Sequence, residues 1–334
     1  MVRERIDLTQ VCQRYKARVI HVAPQEDYYL LETNRGPKEL RVWPRVDILR
    51  WSYAWREQLV KDGFRDVERF IRTRDAKPYV VLGRKGYTLT DHVRGAETAL
   101  TAEEAAAHCG QLTAAMHRAQ QQHQVGFASE LFGKEQAHAR HEADRAKRYY
   151  LELADQSSLH EQAKWVISLF PPLLQRMERS AQLLAAARIE PDQLAVSHRE
   201  LGMENWLVHQ GRIVLRGFYR PNLSVQLRDV AGFLRDLYRE HGDLRRIDLF
   251  LDGYEEVRPL SYEEYKVLLA FMAFPQELWL AIDAYVGGLA AGQADTGTDG
   301  ITAALSDQKR IDHLLQHVAY RAERLRGGVV HEPI

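Results

Sequence analysis

The feature that most limits what this chain can fold into is a change of pattern part-way along it. Up to about residue 93 the apolar residues come in short runs of Val, Ile, Leu, Tyr and Trp bounded by turn residues. Beyond that point they fall almost everywhere at helical spacing. Lys16 to Ala23, Tyr28 to Thr33 and Lys38 to Trp43, the last two joined by Asn34-Arg35-Gly36-Pro37, predict an antiparallel meander. Val46 to Lys61 predicts a helix stopped by Asp62-Gly63, and Tyr79 to Leu82 and Gly86 to Val93 predict two further strands. A lobe boundary is expected at Asp91 to Gly95. After it, Thr101-Ala102-Glu103-Glu104 forms a capping box for an Ala-rich helix reaching about Ala119, and 133–152, 160–187 and most of the chain from Val225 onward read as helical. Pro171-Pro172 should break or kink the span in which they lie. Leu194 to Val196, Trp206 to Val208 and Arg212 to Gly217, with a Gln210-Gly211 turn, put a small hairpin inside the helical part, while 289–300 reads as a flexible loop and the last eight residues as a loose tail. With 334 residues, about two domains' worth, the expectation is an α+β, bilobal fold without internal repeats: a small antiparallel-sheet N-lobe (1–92) and a large, mostly helical C-lobe (93–334).

Composition narrows the function classes. The 45% hydrophobic and 28% charged residues exclude a disordered tail, a fibre or a disulfide-rich miniprotein. Lys plus Arg equals Asp plus Glu at 46 each, so no global field favours nucleic acid or anionic lipid. The Arg-rich stretches 140–148 and 239–246 are interleaved with acids and read as solvated helix faces, so no nucleic-acid partner is expected. Cys12 and Cys109 lie far apart with no CxxC and read as free thiols in a reducing compartment. His138 and His141 are three apart on an expected helix, but the sequence is not HExxH, and Arg140, Arg145, Lys147 and Arg148 crowd it; no metal site is expected. The charged start, Met1-Val2-Arg3-Glu4-Arg5, does not suit a signal peptide and no uninterrupted apolar run suits a membrane span, so a cytosolic protein is expected.

The informative stretch is Leu194 to Asp236, LAVSHRELGMENWLVHQGRIVLRGFYRPNLSVQLRDVAGFLRD. Its His198-Arg199-Glu200 with Asn205, its Gly217-Phe218-Tyr219 and its Asp229-Val230-Ala231 resemble the catalytic loop, metal motif and helix start of the aminoglycoside and choline kinase-like phosphotransferases, and within them the CotS-type spore-coat proteins. Leu40-Arg41, with Glu57 on the following helix, resembles the strand Leu-Lys and its helical carboxylate partner. Leu260-Ser261-Tyr262-Glu263-Glu264, the Phe271 to Trp279 stretch and Tyr285 resemble a C-terminal block of the spore-coat members. The resemblance runs roughly from Ala17 to Tyr285 and implies a protein-kinase-like fold. It also implies roles: Glu200 at the position of the catalytic Asp, His198 and Asn205 in the same loop, Gly217 at the position of the metal-binding Asp, and Asp229 as a structural brace. Arg41 and Glu57, with Thr90, Asp91, His92 and Val93 at the lobe junction, complete the candidate cofactor-binding set.

Phosphoryl transfer needs a carboxylate that orients the acceptor and oxygen ligands that hold Mg²⁺ against the phosphates. Glu200 keeps the charge on a longer arm, and misplacements of about 1 Å can cost ~100-fold. Gly217 offers a hard cation no side-chain oxygen. Arg41 differs from Lys in reach and geometry, and the loop Pro24-Gln25-Glu26-Asp27 has no glycine and two acids to turn toward phosphates. The expectation is a kinase fold without phosphotransferase activity and without a cofactor, acting as a binding or scaffold component in sporulation or spore-coat assembly. Other proteins, coat components by the resemblance, are its expected partners, and the mother-cell cytosol or the coat itself its location. Two alternatives stay open. One is an active phosphotransferase using ATP and Mg²⁺ held by Glu200 and Asn205; the other is a pocket near Thr90 to Val93 for a non-nucleotide ligand.

Overall fold

The computed structural model describes residues 8–92, 103–121, 128–156, 160–187, 194–198, 201–209, 212–219, 222–291 and 297–326. The N-lobe opens on a short helix, α1 (Leu8–Cys12), and a five-stranded antiparallel sheet of β1 (Val19–Pro24), β2 (Tyr28–Thr33), β3 (Lys38–Trp43), β4 (Val80–Leu82) and β5 (Lys85–Asp91), in the order β1-β2-β3-β5-β4. Helix α2 (Val46–Lys61) lies between β3 and β4 in sequence. Register decides what each sheet face can do. Leu40 stands opposite Leu89 and packs, with Leu31 and Tyr87, under Val11 and Tyr15. The alternate residues of β3, Glu39, Arg41 and Trp43, therefore share the other face, opposite Thr90, Thr88 and Gly86. That face turns toward the C-lobe.

The C-lobe contains α3 (Glu103–Gln121), α4 (Ala128–Ala154), α5 (Glu161–Ala186), α6 (Leu227–His241), α7 (Leu244–Val257), α8 (Tyr262–Ala273), α9 (Gln276–Ala290) and α10 (Asp299–Arg326). Among them lie two small pairings, β6 (Leu194–Ser197) with β9 (Asn222–Val225) and β7 (Trp206–His209) with β8 (Arg212–Leu215). A 3-10 turn, Met203–Asn205, feeds β7. Gly110 lets α3 press against α7: a Cβ there would stand 2.8 Å from the Tyr254 nitrogen. Ser261 and Glu264 form a reciprocal capping box that starts α8. The span Tyr262–Ala290 is apolar and long enough to cross a membrane by length and composition. In the fold it forms core, with Tyr265, Leu268, Met272, Trp279 and Ile282 buried.

The helix expected to break at Pro171-Pro172 does not: α5 is helical from Glu161 to Ala186 with both prolines inside it. Both are exposed, so the Ile167 and Ser168 carbonyls that lose an amide partner lie on the solvent side. Val166, Phe170, Leu173 and Met177 bury the opposite stripe and hold the helix together. The helix expected over 133–152 is longer than its pattern suggests and runs from Ala128 to Ala154. Strand β9 is not among the elements expected from the sequence.

Candidate functional site: a braced loop under a clamped sheet

The centre of the C-lobe site is Asp229, in the first turn of α6 and fully buried. Its carboxylate accepts from the Ser197 hydroxyl (2.7 Å), the His198 backbone N–H (2.7 Å) and His117 Nε2 (3.2 Å). Burial alone would raise its pKa. The hydrogen bond and field of His117, the field of His198 and the Ser197 hydroxyl outweigh burial and hold the carboxyl below its ordinary range. Behind His117 the chain of bonds continues into the core: its Nδ1 accepts from the Tyr254 hydroxyl (2.7 Å), Arg258 donates to the Tyr254 oxygen (3.0 Å), and Arg258 pairs with Glu264 (2.7 Å). Burial lowers the pKa of His117 and keeps it neutral, which agrees with one ring nitrogen donating and the other accepting. This network joins α3, α6, α7 and α8 to the start of the loop at 198.

His198 is buried with its ring edge-on to Phe218, centroids 4.8 Å apart, and near Trp55. Its Nε2 donates to the Arg216 carbonyl (2.7 Å), Nδ1 is buried with no hydrogen-bond partner among the described residues, and burial lowers its pKa. A neutral imidazole boxed among aromatic rings fixes the loop and is poorly placed to take up a proton. Glu200, the candidate acceptor-orienting carboxylate, lies outside the described residues, as do Arg199 and Val93.

Gly217 follows β8 with φ +91°, a left-handed conformation that glycine adopts freely. The space beside it is taken. A Cβ at 217 would collide with Asn205 Oδ1 and stand 2.6 Å from Asn205 Cγ and 2.9 Å from His198 Cε1. Asn205 is itself buried and its amide donates to Glu204 (3.0 Å). Loop and hairpin therefore come together, with His198, Asn205 and Gly217 in one contact group and the Asp229 carboxylate on the His198 N–H.

The N-lobe side departs from the expected pairing. Arg41 lies over the ring of Tyr219, 3.8 Å from its centroid, while Glu57 pairs with Arg69 (2.8 Å) and Arg72 (3.8 Å). Among the described residues Arg41 and Glu57 form no ion pair. The helix presents Arg56 instead. Its guanidinium is buried, pairs with Glu68 (3.2 Å), donates to Ser52 (2.7 Å) and lies 4.4 Å over Phe70 and 5.3 Å from Phe218. The Ser52 hydroxyl in turn donates to the Phe218 carbonyl. Burial pushes the Glu68 carboxyl up, against the field of Arg56. At the lobe junction, Glu39 accepts from His92 (2.8 Å) and pairs with Arg216 (3.3 Å), a lobe-to-lobe contact, while Lys38 holds Asp91 at 2.5 Å. Thr90 is buried opposite Glu39.

Sequence reading missed Arg56, Glu68, Glu39 and Arg216, and gave Tyr219 only as the end of the Gly217-Phe218-Tyr219 stretch. For Arg56 the signal was present: the buried stripe of α2 is Leu49, Ser52, Trp55, Arg56 and Leu59, which takes in 56 and leaves 57 outside. No comparable signal exists for Glu68, which lies in the irregular link between α2 and β4.

Comparison with solved structures agrees with this architecture. The chain is similar to an aminoglycoside phosphotransferase from Alicyclobacillus acidocaldarius, with a TM-score of 0.78 at 17% identity over 96% of this chain and 98% of that one. It is also similar to spectinomycin phosphotransferase (TM-score 0.58, 15% identity, 92% and 93% covered) and to a microcompartment-associated aminopropanol kinase (0.57, 15%, 92% and 95%). At such identities the likeness establishes the kinase-like fold. No curated protein matches the chain significantly. The family described as "Spore coat putative kinase YutH" matches residues 23–318, nearly the full length, and the chain belongs to that spore-coat kinase family.

Proposed function

We propose that this protein has kept the kinase fold as a binding platform and does not transfer phosphate, serving as an assembly or scaffold component made in the mother-cell cytosol and joined to the spore coat. The observation that carries the reading is the packing at Gly217, where a metal-binding carboxylate would have to stand. The backbone there has φ +91°, and the Asn205 amide and the His198 ring fill the space that a side chain would need. Mg²⁺ requires several oxygens in near-octahedral array, and the Asn205 amide oxygen, which lies beside Gly217, is a single remnant of that set. On the N-lobe side Arg41 is stacked on Tyr219 and Glu57 is engaged by Arg69 and Arg72, so neither is arranged as a phosphate clamp. The described residues of the site do not make the oxygen set and phosphate clamp that Mg²⁺-ATP needs. What is retained is the scaffold: the Asp229 brace and the links from α2 to Phe218.

Calorimetric titration of the full chain with ATP, with and without Mg²⁺, tests this. No heat at millimolar nucleotide is the expected result, together with a Tm unmoved by it. Micromolar, Mg²⁺-dependent binding with turnover that Glu200→Gln abolishes would overturn the proposal in favour of an active phosphotransferase.

A further inference from the structure

A second site lies in the C-lobe, away from the lobe junction. Residues of α4, α5, α6 and α8 and the start of α9 line a small, open-mouthed pocket. The lining is mixed: Leu184, Phe271, Phe274, Ala139 and Ala231 are apolar, Arg228 and Arg235 come from α6 and Glu135 and His138 from α4, and the Arg228 guanidinium lies 5.7 Å over the Phe271 ring.

Arg235 makes this more than a gap in packing. Its side chain is only 15% exposed, yet among the described residues it makes no hydrogen bond; Nε is buried without a partner. Its one ion-pair neighbour, Glu277, stands 3.8 Å away and is held more closely by Arg239 at 2.8 Å. A guanidinium carries five N–H donors in a fixed fork, and buried donors in folded proteins are almost always satisfied. Arg228 uses one terminal nitrogen on Glu135 (2.6 Å), and among the described residues its other donors make no hydrogen bond. Arg228 and Arg235, seven residues apart on α6, therefore bring unused donors to a lining that is otherwise largely apolar.

We propose that this cavity binds a small organic acid, with its carboxylate taken by Arg235 and Arg228 and its apolar body lying against Phe271, Phe274 and Leu184. A planar carboxylate matches the guanidinium fork in two parallel bonds, and small-molecule sites combine an apolar lining with a few placed polar groups. The site does not depend on nucleotide at the lobe junction.

The test is calorimetry and thermal shift on the full chain with benzoate, phenylacetate and hexanoate, using benzamide as the neutral counterpart of benzoate. At least one acid is expected to bind one-to-one, tighter than about 1 mM, with benzamide about 10-fold weaker or worse. Arg235→Met should weaken the acid by about 10-fold or more, and Arg235→Lys by less. Glu135→Gln moves the other way: releasing Arg228 from its partner should tighten binding several-fold, a gain that misfolding cannot imitate. Failure of all three acids, equal binding of benzamide, or acid binding unchanged in both Arg235→Met and Glu135→Gln would overturn the assignment and leave water as the partner of Arg235.

Discussion

Gly217 and Asp229 show how single positions set what this fold can do. At 217 a side chain would need a left-handed backbone and the space now filled by Asn205, so Gly217→Ala should destabilise by about 2 to 4 kcal/mol in urea titration. Gly217→Asp should cost at least as much and fail to restore nucleotide binding, because Asn205 would have to leave first. The buried titratable groups give stability a defined acid limb. His117 and His198 have pKa values held below the ordinary 6.5, so their share of stability is present above 6.5 and is lost as pH falls below it through their folded values. Asp229 lies below its ordinary 3.8, so its share is present above 3.8 and is lost only in stronger acid. Urea midpoints measured from pH 8 to 3 should therefore begin to fall near 6.5, and His198→Gln should flatten the first part of that fall. A midpoint constant down to pH 4.5 would contradict the burial of both imidazoles.

At the scale of elements, α2 links the sheet to the hairpin through one buried ion pair. Removing one partner of such a pair strands the other charge, at about 3–5 kcal/mol, whereas replacing both by apolar residues is close to neutral. Arg56→Met and Glu68→Met should each fall in that range, and the double variant should recover most of the loss; additive losses in this double-mutant cycle would mean that the pair does not couple. Elements were legible in the sequence wherever one period dominated. The patterns of β2, β3 and α2 gave their observed limits, Tyr28–Thr33, Lys38–Trp43 and Val46–Lys61, because each has one apolar face and ends at turn residues. Strand β9 escaped notice because four residues, Asn222–Val225, carry no readable period and are fixed by pairing with β6 some thirty residues earlier. The site was legible in part for the same reason. Local motifs located His198, Asn205, Gly217 and Asp229, but the partners of Arg41 and Glu57 depend on tertiary neighbours, Tyr219 and Arg69, that no local pattern encodes.

For the whole molecule, the question is whether the lobes move independently, as lobes that open and close on a nucleotide must. Here the link between α2 and β4 is joined to the C-lobe hairpin: Glu68 N–H donates to the Leu215 carbonyl (2.8 Å) and Leu215 N–H to the Asp66 carbonyl (2.9 Å). Arg212 pairs with Asp66, Ser52 bonds the Phe218 carbonyl, and Arg216 reaches Glu39 across the junction. Val67, Trp55 and Leu59 of the N-lobe also belong to the same buried cluster as Leu215, Phe218 and Phe233. Opening the lobes would expose this apolar surface and break backbone bonds, so local opening should cost nearly as much as global unfolding. Native-state hydrogen exchange at increasing denaturant tests this directly. The amides of Glu68 and Leu215 should exchange with the same free energy and denaturant slope as those in the middle of α6, and millimolar ATP should leave all three unchanged. Faster exchange at 68 and 215 than in α6 would reveal an independently moving N-lobe. A slowing by ATP confined to those two amides would show nucleotide closing a cleft that the clamped arrangement holds shut.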